Sequence, residues 1–227
     1  MRHLWIAVTA LLLASPAYAV TIPIPNSGFE SPSFADGGFQ WGLYPGGSVI
    51  GGWTTAGGVG FAAGIQNPTT TTFSGEAPGG ENVAFLITYN TAWLIQTLTT
   101  TYVEGETYTL TALVGDGDVT HFFDYTIGLY VAGSVKSTMT LSPIPADDSF
   151  ALASATVVAD ASMDGQPIEV RMGSFSTKLV DDPDNPGNDR AVYFDNLQLT
   201  TTAIPTPSAL VAMIPGLLIL SRRRQCS

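Results

Sequence analysis

The chain contains two histidines, His3 and His121, and one cysteine, Cys226. That inventory removes most nucleophile and metal chemistry at once. One histidine in the body of the chain is too few for a histidine-rich zinc site, and no HExxH is present. A Ser-His-Asp arrangement would need His121 as its base, yet no G-x-S-x-G elbow surrounds any serine. A cysteine nucleophile is excluded because Cys226 lies in the tail. What remains are carboxylates: 19 Asp and Glu against 8 Lys and Arg, a net charge of -11. Two acids about 5–10 Å apart would serve a glycoside hydrolase, but no spacing singles out a pair. The expectation is a protein that binds and does not catalyse, with a glycan hydrolase as the alternative.

The binding candidates are aromatic. Sugars are held in water by flat rings against their apolar faces, with polar side chains gripping the hydroxyls. Trp41, Tyr44, Phe61, Tyr89 and Trp93 fall in glycine- and threonine-rich surroundings or beside turns, and Asn90 and Gln66 stand among them as hydrogen-bonding groups. The same rings would equally cover the end of a core.

The acids all lie between the two termini, where only Lys136, Arg171, Lys178 and Arg190 oppose them. So acidic a surface repels nucleic acid, since phosphate binding needs clustered Lys and Arg. It suits divalent cations and neutral polymers. With no cysteine outside the tail the domain has no disulfide, and a sizeable core or bound metal must steady it.

Both ends read as targeting segments. Met1-Arg2-His3 is a short positive region, Leu4 to Ala14 is apolar, and Ala17-Tyr18-Ala19 is a small-x-small cleavage site that leaves Val20 as the mature N-terminus. The expected organisation is a signal peptide over 1–19, a domain over 20–200, a linker over 201–207, a hydrophobic helix over 208–221 and a basic tail over 222–227. The helix is shorter than the ~20 apolar residues that span a bilayer. Arg222, Arg223 and Arg224 follow it, placed to stay on the cytoplasmic side.

The elements that must position the candidates are strands. Apolar residues recur at period two over 83–87, 94–98, 108–114, 125–131, 150–157, 168–172 and 191–199, bounded by Gly, Pro, Asn or Asp. Glu104-Gly105-Glu106 and Ala132-Gly133-Ser134 read as hairpin turns. Phe34 to Thr72 and Asp181 to Asp189 read as loops. The fold class expected is an all-β antiparallel β-sandwich or jelly roll of about eight strands.

Two resemblances add to this reading. Pro205-Thr206-Pro207, the short apolar helix and the arginines resemble the PEP-CTERM sorting signal of Gram-negative bacteria that make exopolysaccharide, with Thr206 in place of the usual Glu. That resemblance implies a membrane sorting protease of the exosortase kind, transient tethering in the inner membrane, and a final place at the cell surface or in the extracellular matrix. Asn26-Ser27-Gly28-Phe29-Glu30, Gly51-Gly52-Trp53, Gly80-Glu81-Asn82-Val83 and Phe194-Asp195-Asn196-Leu197 together resemble the galactose-binding-like sandwiches that include many carbohydrate-binding modules. This second resemblance implies polysaccharide as partner, and a structural Ca²⁺ held by Glu30 and Asp195, on neighbouring first and last strands. Two carboxylates brought together repel unless a cation lies between them, and calcium takes oxygen ligands. The Asp181–Asp189 segment fails the EF-hand spacing and reads as a solvated turn. The function expected is an exported, non-catalytic surface or matrix protein that binds polysaccharide, or a structural matrix component with no discrete ligand.

Overall fold

A run of alternating apolar residues buries one face of a strand and leaves the other for solvent or a second layer. In the computed structural model every run named above is a strand. It describes residues 18–43, 50–58, 62–69, 73, 77–87, 91–117, 121–122, 124–140, 142–175 and 190–202. The strands are β1 (Ala19–Ile22), β2 (Phe39–Leu43), β3 (Thr54–Gly57), β4 (Ala62–Gln66), β5 (Val83–Ile87), β6 (Thr91–Thr101) and β7 (Thr107–Asp116). They continue with β8 (His121–Phe122), β9 (Asp124–Val131), β10 (Ser134–Thr140), β11 (Ser149–Val158), β12 (Pro167–Phe175) and β13 (Arg190–Thr202). No helix occurs among the described residues; the two expected terminal helices lie outside them.

The strands form two sheets. The larger runs β11-β7-β13-β5-β4-β2, with β1 and β8 also on β13; the smaller runs β10-β9-β12-β6-β3. Every pairing is antiparallel except the short β8–β13 contact. The sheets face each other across one core. Tyr108, Leu110, Ala112 and Val114 of β7 meet Ile127 and Leu129 of β9 and Ile168, Val170 and Met172 of β12 within it. Trp53, Phe29, Leu98 and Phe194 are buried there too, as their neighbourhoods suggest. Phe85 is buried differently, in a second cluster with Phe73, Val83 and Tyr193, to which Phe150 adds its ring 4.6 Å from that of Phe73.

Two expectations need correction. The described residues form thirteen strands and not about eight, and Phe34–Thr72 is no plain loop, since it carries β2, β3 and β4. All three are short; β2 is an edge strand, β3 is rich in Thr, and β4 is buried on both faces, so none shows a period-two signal. The turns Glu104–Glu106 and Ala132–Ser134 join β6 to β7 and β9 to β10 as expected, Gly105 and Gly133 taking φ of 83° and 82° that side chains disfavour.

The connections sort the sandwich into two ends. The 102–106, 132–133 and 159–166 turns lie at one, hereafter the Tyr102 end. The last residue of β7, the start of β9, the end of β12 and the 142–148 segment lie at the other, the Asp116 end.

Candidate functional site

Among the described residues, buried side-chain atoms without partners occur on Asn82, Gln96, Asp116 and Ser174, and two of the places they mark also hold carboxylates. The first is on the central strand β13 of the larger sheet, where it leaves β5 and takes up β1. The register of β13 against β7 shifts between Asp195 and Gln198, and a bulge of this kind re-aims a side chain. Asn196 lies at φ 47°, and on the incoming chain Phe29 lies at φ 58°. Left-handed backbone at non-glycine residues is costly and is retained where the surroundings demand it. Here it sets two carboxylates side by side: Asp195 follows the β5-paired part of β13 and Glu30 follows Phe29.

Asp195 is fully buried. Its Oδ2 accepts the Gly79 N–H at 2.6 Å and its Oδ1 the Asn196 N–H at 2.6 Å. Glu30 Oε1 accepts the Glu81 and Asn82 N–H groups, both at 3.0 Å, and Oε2 the Asn82 amide at 3.3 Å. Gly79 and Gly80 allow this approach, because a Cβ on Gly79 would meet Asp195 Oδ1 at 2.6 Å and one on Gly80 would strike Glu30 Oε1. Burial pushes the Asp195 carboxyl up to about 6; the two N–H groups oppose that rise and the Glu30 charge adds to it. Asn82 Oδ1, buried in the same place, has no hydrogen-bond partner. Every group offered here is an oxygen, the donor set a hard cation takes.

The second place is the Asp116 end of the core. The inward row of β7 reads Tyr108, Leu110, Ala112, Val114 and then Asp116; that of β12 reads Ile168, Val170, Met172 and then Ser174. Each apolar row thus finishes on a polar residue. Asp116 is 6% exposed and Ser174 is fully buried, and neither Asp116 Oδ1 nor Ser174 Oγ has a hydrogen-bond partner. Buried polar atoms are nearly always paired, because leaving one unpaired costs about 1–3 kcal/mol. Burial lifts the Asp116 carboxyl to about 6, and the charge of Asp147 on the 142–148 segment lifts it further.

An aromatic contact ties the two rows together across the core. Tyr125 pairs with Ser174 in the register of β9 on β12, and Phe194 pairs with Val114 in that of β13 on β7. Their rings meet edge to face, 6.5 Å apart. Tyr125 OH donates to the Pro143 carbonyl at 2.6 Å, which anchors the 142–148 segment over this end. What results is an end of the packed core where two buried rings stand beside two buried polar groups without partners.

The aromatic platform expected from sequence does not form from the residues that can be placed. Trp41 is 48% exposed on edge strand β2, opposite Gly64 on the outer face of the larger sheet. Trp93 is on β6 of the smaller sheet, its ring lying against the Gly173 backbone, beside Tyr130 and Phe175 and 5.9 Å from the Arg171 guanidinium. Arg171 is itself fixed by Glu169 at 2.7 Å. The two tryptophans therefore belong to different sheets. Tyr44, Phe61, Tyr89 and Asn90 lie outside the described residues, as do the sorting motif Pro205, Thr206 and Pro207, the arginines Arg222, Arg223 and Arg224, and the Asp181–Asp189 segment. Ala19 and Val20 lie in β1, paired with Thr202 and Thr201. Asp116 and Ser174 were not singled out from sequence, although extending each period-two row by one step would have marked a polar residue on an inward face.

A family model described as HpiC1-like, HpiC1 cyclase, matches residues 20–200. The chain belongs to the HpiC1-like cyclase family. Solved structures share its fold. The Stig cyclase Fisc from Fischerella sp. TAU, in complex with (3Z)-3-(1-methyl-2-pyrrolidinylidene)-3H-indole, is 24% identical with a TM-score of 0.66, over 81% of this chain and 98% of that one. A cyclase from Fischerella sp. TAU in complex with 4-(1H-indol-3-yl)butan-2-one is 23% identical with a TM-score of 0.65, over 82% of this chain and 100% of that one. No functionally curated protein matches the sequence.

Membership of the HpiC1-like cyclase family corrects the functional expectations. The domain is not assigned to the carbohydrate-binding sandwiches, and the non-catalytic, polysaccharide-binding matrix protein of a PEP-CTERM type is replaced by an enzyme family. The error has a physical origin. The lack of histidine, cysteine and known motifs argues against the catalytic chemistries that carry such signatures and not against enzyme chemistry in general.

Proposed function

We propose that the protein is a cyclase that acts on a small, largely apolar molecule of the indole class, taken up between the sheets at the Asp116 end. The observation that carries this reading is the HpiC1-like match across residues 20–200. The indoles bound by the Fischerella cyclases supply the ligand class. The geometry suits the task in two ways. Rings such as Tyr125 and Phe194 offer apolar walls that hold a flexible substrate with its reacting carbons together, which is where much of the acceleration of an intramolecular reaction arises. Aromatic faces also attract positive charge that develops as a ring closes.

Incubating the purified protein with indoles that carry an unsaturated side chain tests the reading. The expected result is a product of unchanged mass and altered retention, formed only with folded protein. Absence of turnover across such a panel, together with no binding of either Fischerella ligand, would contradict it.

Calcium enters this proposal as a structural ion. Glu30, Asp195 and Asn82 would hold it through oxygen, and the unpartnered Asn82 Oδ1 fits such a role. Among the described residues no group of three or more His, Cys, Asp or Glu forms a metal cluster, so the site would depend on the amide oxygen as well as on both acids. Its chemistry would be to neutralise the carboxylate pair, Asp195 following Phe194 directly on β13. Adding calcium to chelator-treated protein should raise the unfolding midpoint, and Asn82→Ala should abolish the rise. Export is part of the same proposal, resting on the Met1–Ala19 pattern; N-terminal sequencing of protein from the native host should begin at Val20.

A further inference from the structure

We infer that Asp116 and Ser174 are the specificity-determining polar contacts of the cyclase site, and that they select substrates bearing a basic nitrogen. This rests on the reading that substrate enters at the Asp116 end. Four observations support it.

Each residue terminates an otherwise apolar inward row, on opposite sheets. Each is more than nine-tenths buried and has an oxygen without a partner. The Tyr125–Phe194 ring contact stands beside both positions, Tyr125 paired to Ser174 and Phe194 paired to Val114, one inward step from Asp116. Finally, the ion pair formed by the described side chains, Arg171 with Glu169, lies on the outer face of the smaller sheet and does not involve Asp116.

A carboxylate in such surroundings is incomplete, and the missing group is a donor with positive charge. Burial and Asp147 both disfavour its ionised form, and a bound cation reverses that balance. A neutral N–H donor gains a hydrogen bond to the carboxylate, whereas a protonated nitrogen adds to that bond the attraction of opposite charges, which is little screened in a buried site. Ser174, able to donate or accept, settles a second polar atom of the same ligand. The titratable and charged groups on the surrounding elements are Asp147 on the 142–148 segment, Asp124 and Tyr125 at the start of β9, His121 in β8, and Arg190 at the start of β13. Of these Asp147 acts on Asp116 directly.

Calorimetric titration with two probes separates the possibilities. (3Z)-3-(1-Methyl-2-pyrrolidinylidene)-3H-indole is a vinylogous amidine that carries a proton at neutral pH; 4-(1H-indol-3-yl)butan-2-one is neutral. At pH 7.5 Asp116→Asn should weaken the basic probe about tenfold or more and the neutral one much less. Wild-type affinity for the basic probe should rise from pH 5 to pH 7.5 as Asp116 ionises, and the rise should vanish in Asp116→Asn. Ser174→Ala should weaken both probes a few-fold. Glu106→Gln, at the far end, should change neither, and unfolding midpoints of all variants verify that they fold. If both probes bind wild type, Asp116→Asn and Ser174→Ala equally well at both pH values, the assignment of these residues is wrong while the indole reading stands. If neither probe binds wild type, the indole reading fails and takes this inference with it.

Discussion

The two ends of the sandwich are built from the same strands and treat their polar atoms in opposite ways. At the Tyr102 end nearly every group is settled. Tyr102 N–H donates to the Gln166 carbonyl and its own carbonyl accepts Gly165 N–H, both at 2.9 Å; Gly105 N–H and the Ala159 carbonyl meet at 2.8 Å, as do Ala159 N–H and the Glu106 carbonyl. Tyr108 OH accepts Val103 N–H at 2.9 Å and donates to Glu106 Oε2 at 3.1 Å, which also accepts Thr201 Oγ1 at 2.8 Å. At the Asp116 end the core finishes on Asp116 Oδ1 and Ser174 Oγ, both without partners. The first end is what a sequence does when an end only has to hold. The second breaks the rule that buried polar atoms are paired, and such breaks concentrate where something else must bind.

The sharpest way to break this contrast is at the settled end. Tyr108 is buried, with its ring 4.9 Å from that of Tyr102. Tyr108→Ala should lose about 3–5 kcal/mol in denaturant unfolding, as large-to-small aromatic changes do, while the affinity for indole ligands in the folded fraction stays the same. A loss of affinity without a loss of stability would mean that the two ends have been assigned the wrong way round.

Next in size is a gain at the unsettled end. The Asp116 carboxyl lies at about 6, above its ordinary value of 3.8, because of burial and Asp147. The folded state therefore holds that proton more tightly than the unfolded chain. Stability from this group is complete below pH 4 and is lost as pH rises towards 6. Asp116→Asn should be more stable than wild type at pH 7 by on the order of 2 kcal/mol, with no difference near pH 3.5. A variant that is less stable at pH 7 would show that the carboxylate is already compensated. Smallest is Glu106→Gln, which weakens the charge-assisted bonds from Tyr108 and Thr201 and should cost about 1 kcal/mol at pH 7 in thermal unfolding. It should have no consequence for ligands.

How far the sequence displayed all this differs in the same spatial way. Period-two alternation revealed β5, β6, β7, β9, β11, β12 and β13 because each buries one whole face in the core. Among the rest, β4 is buried on both faces and so does not alternate, β2 and β3 are short edge strands, and β10, another edge strand, keeps most of its residues in solvent. The Glu30–Asp195 neighbourhood was legible because its glycines and acids stand in short, recognisable strings. Asp116 and Ser174 were not, because what matters is each one's parity with an apolar row, and a lone Asp after Val114-Gly115 or a lone Ser after Met172-Gly173 looks like the end of a strand. The cyclase family membership was hidden for a related reason: no catalytic motif with a recognisable spacing of residue types stands in the sequence. Aromatic residues misled as well. Trp41 and Trp93 suggested one platform, and the pleat placed them on the outer faces of separate sheets.

Backbone amide NMR during titration with 4-(1H-indol-3-yl)butan-2-one tests the central contrast most directly. The expected result is saturable shifts at Asp116, Tyr125, Ser174 and Phe194, with Tyr102, Gly105, Met163 and Gln166 unmoved. Shifts confined to the Tyr102 end, or to the outer faces that carry Trp41 and Trp93, would contradict it.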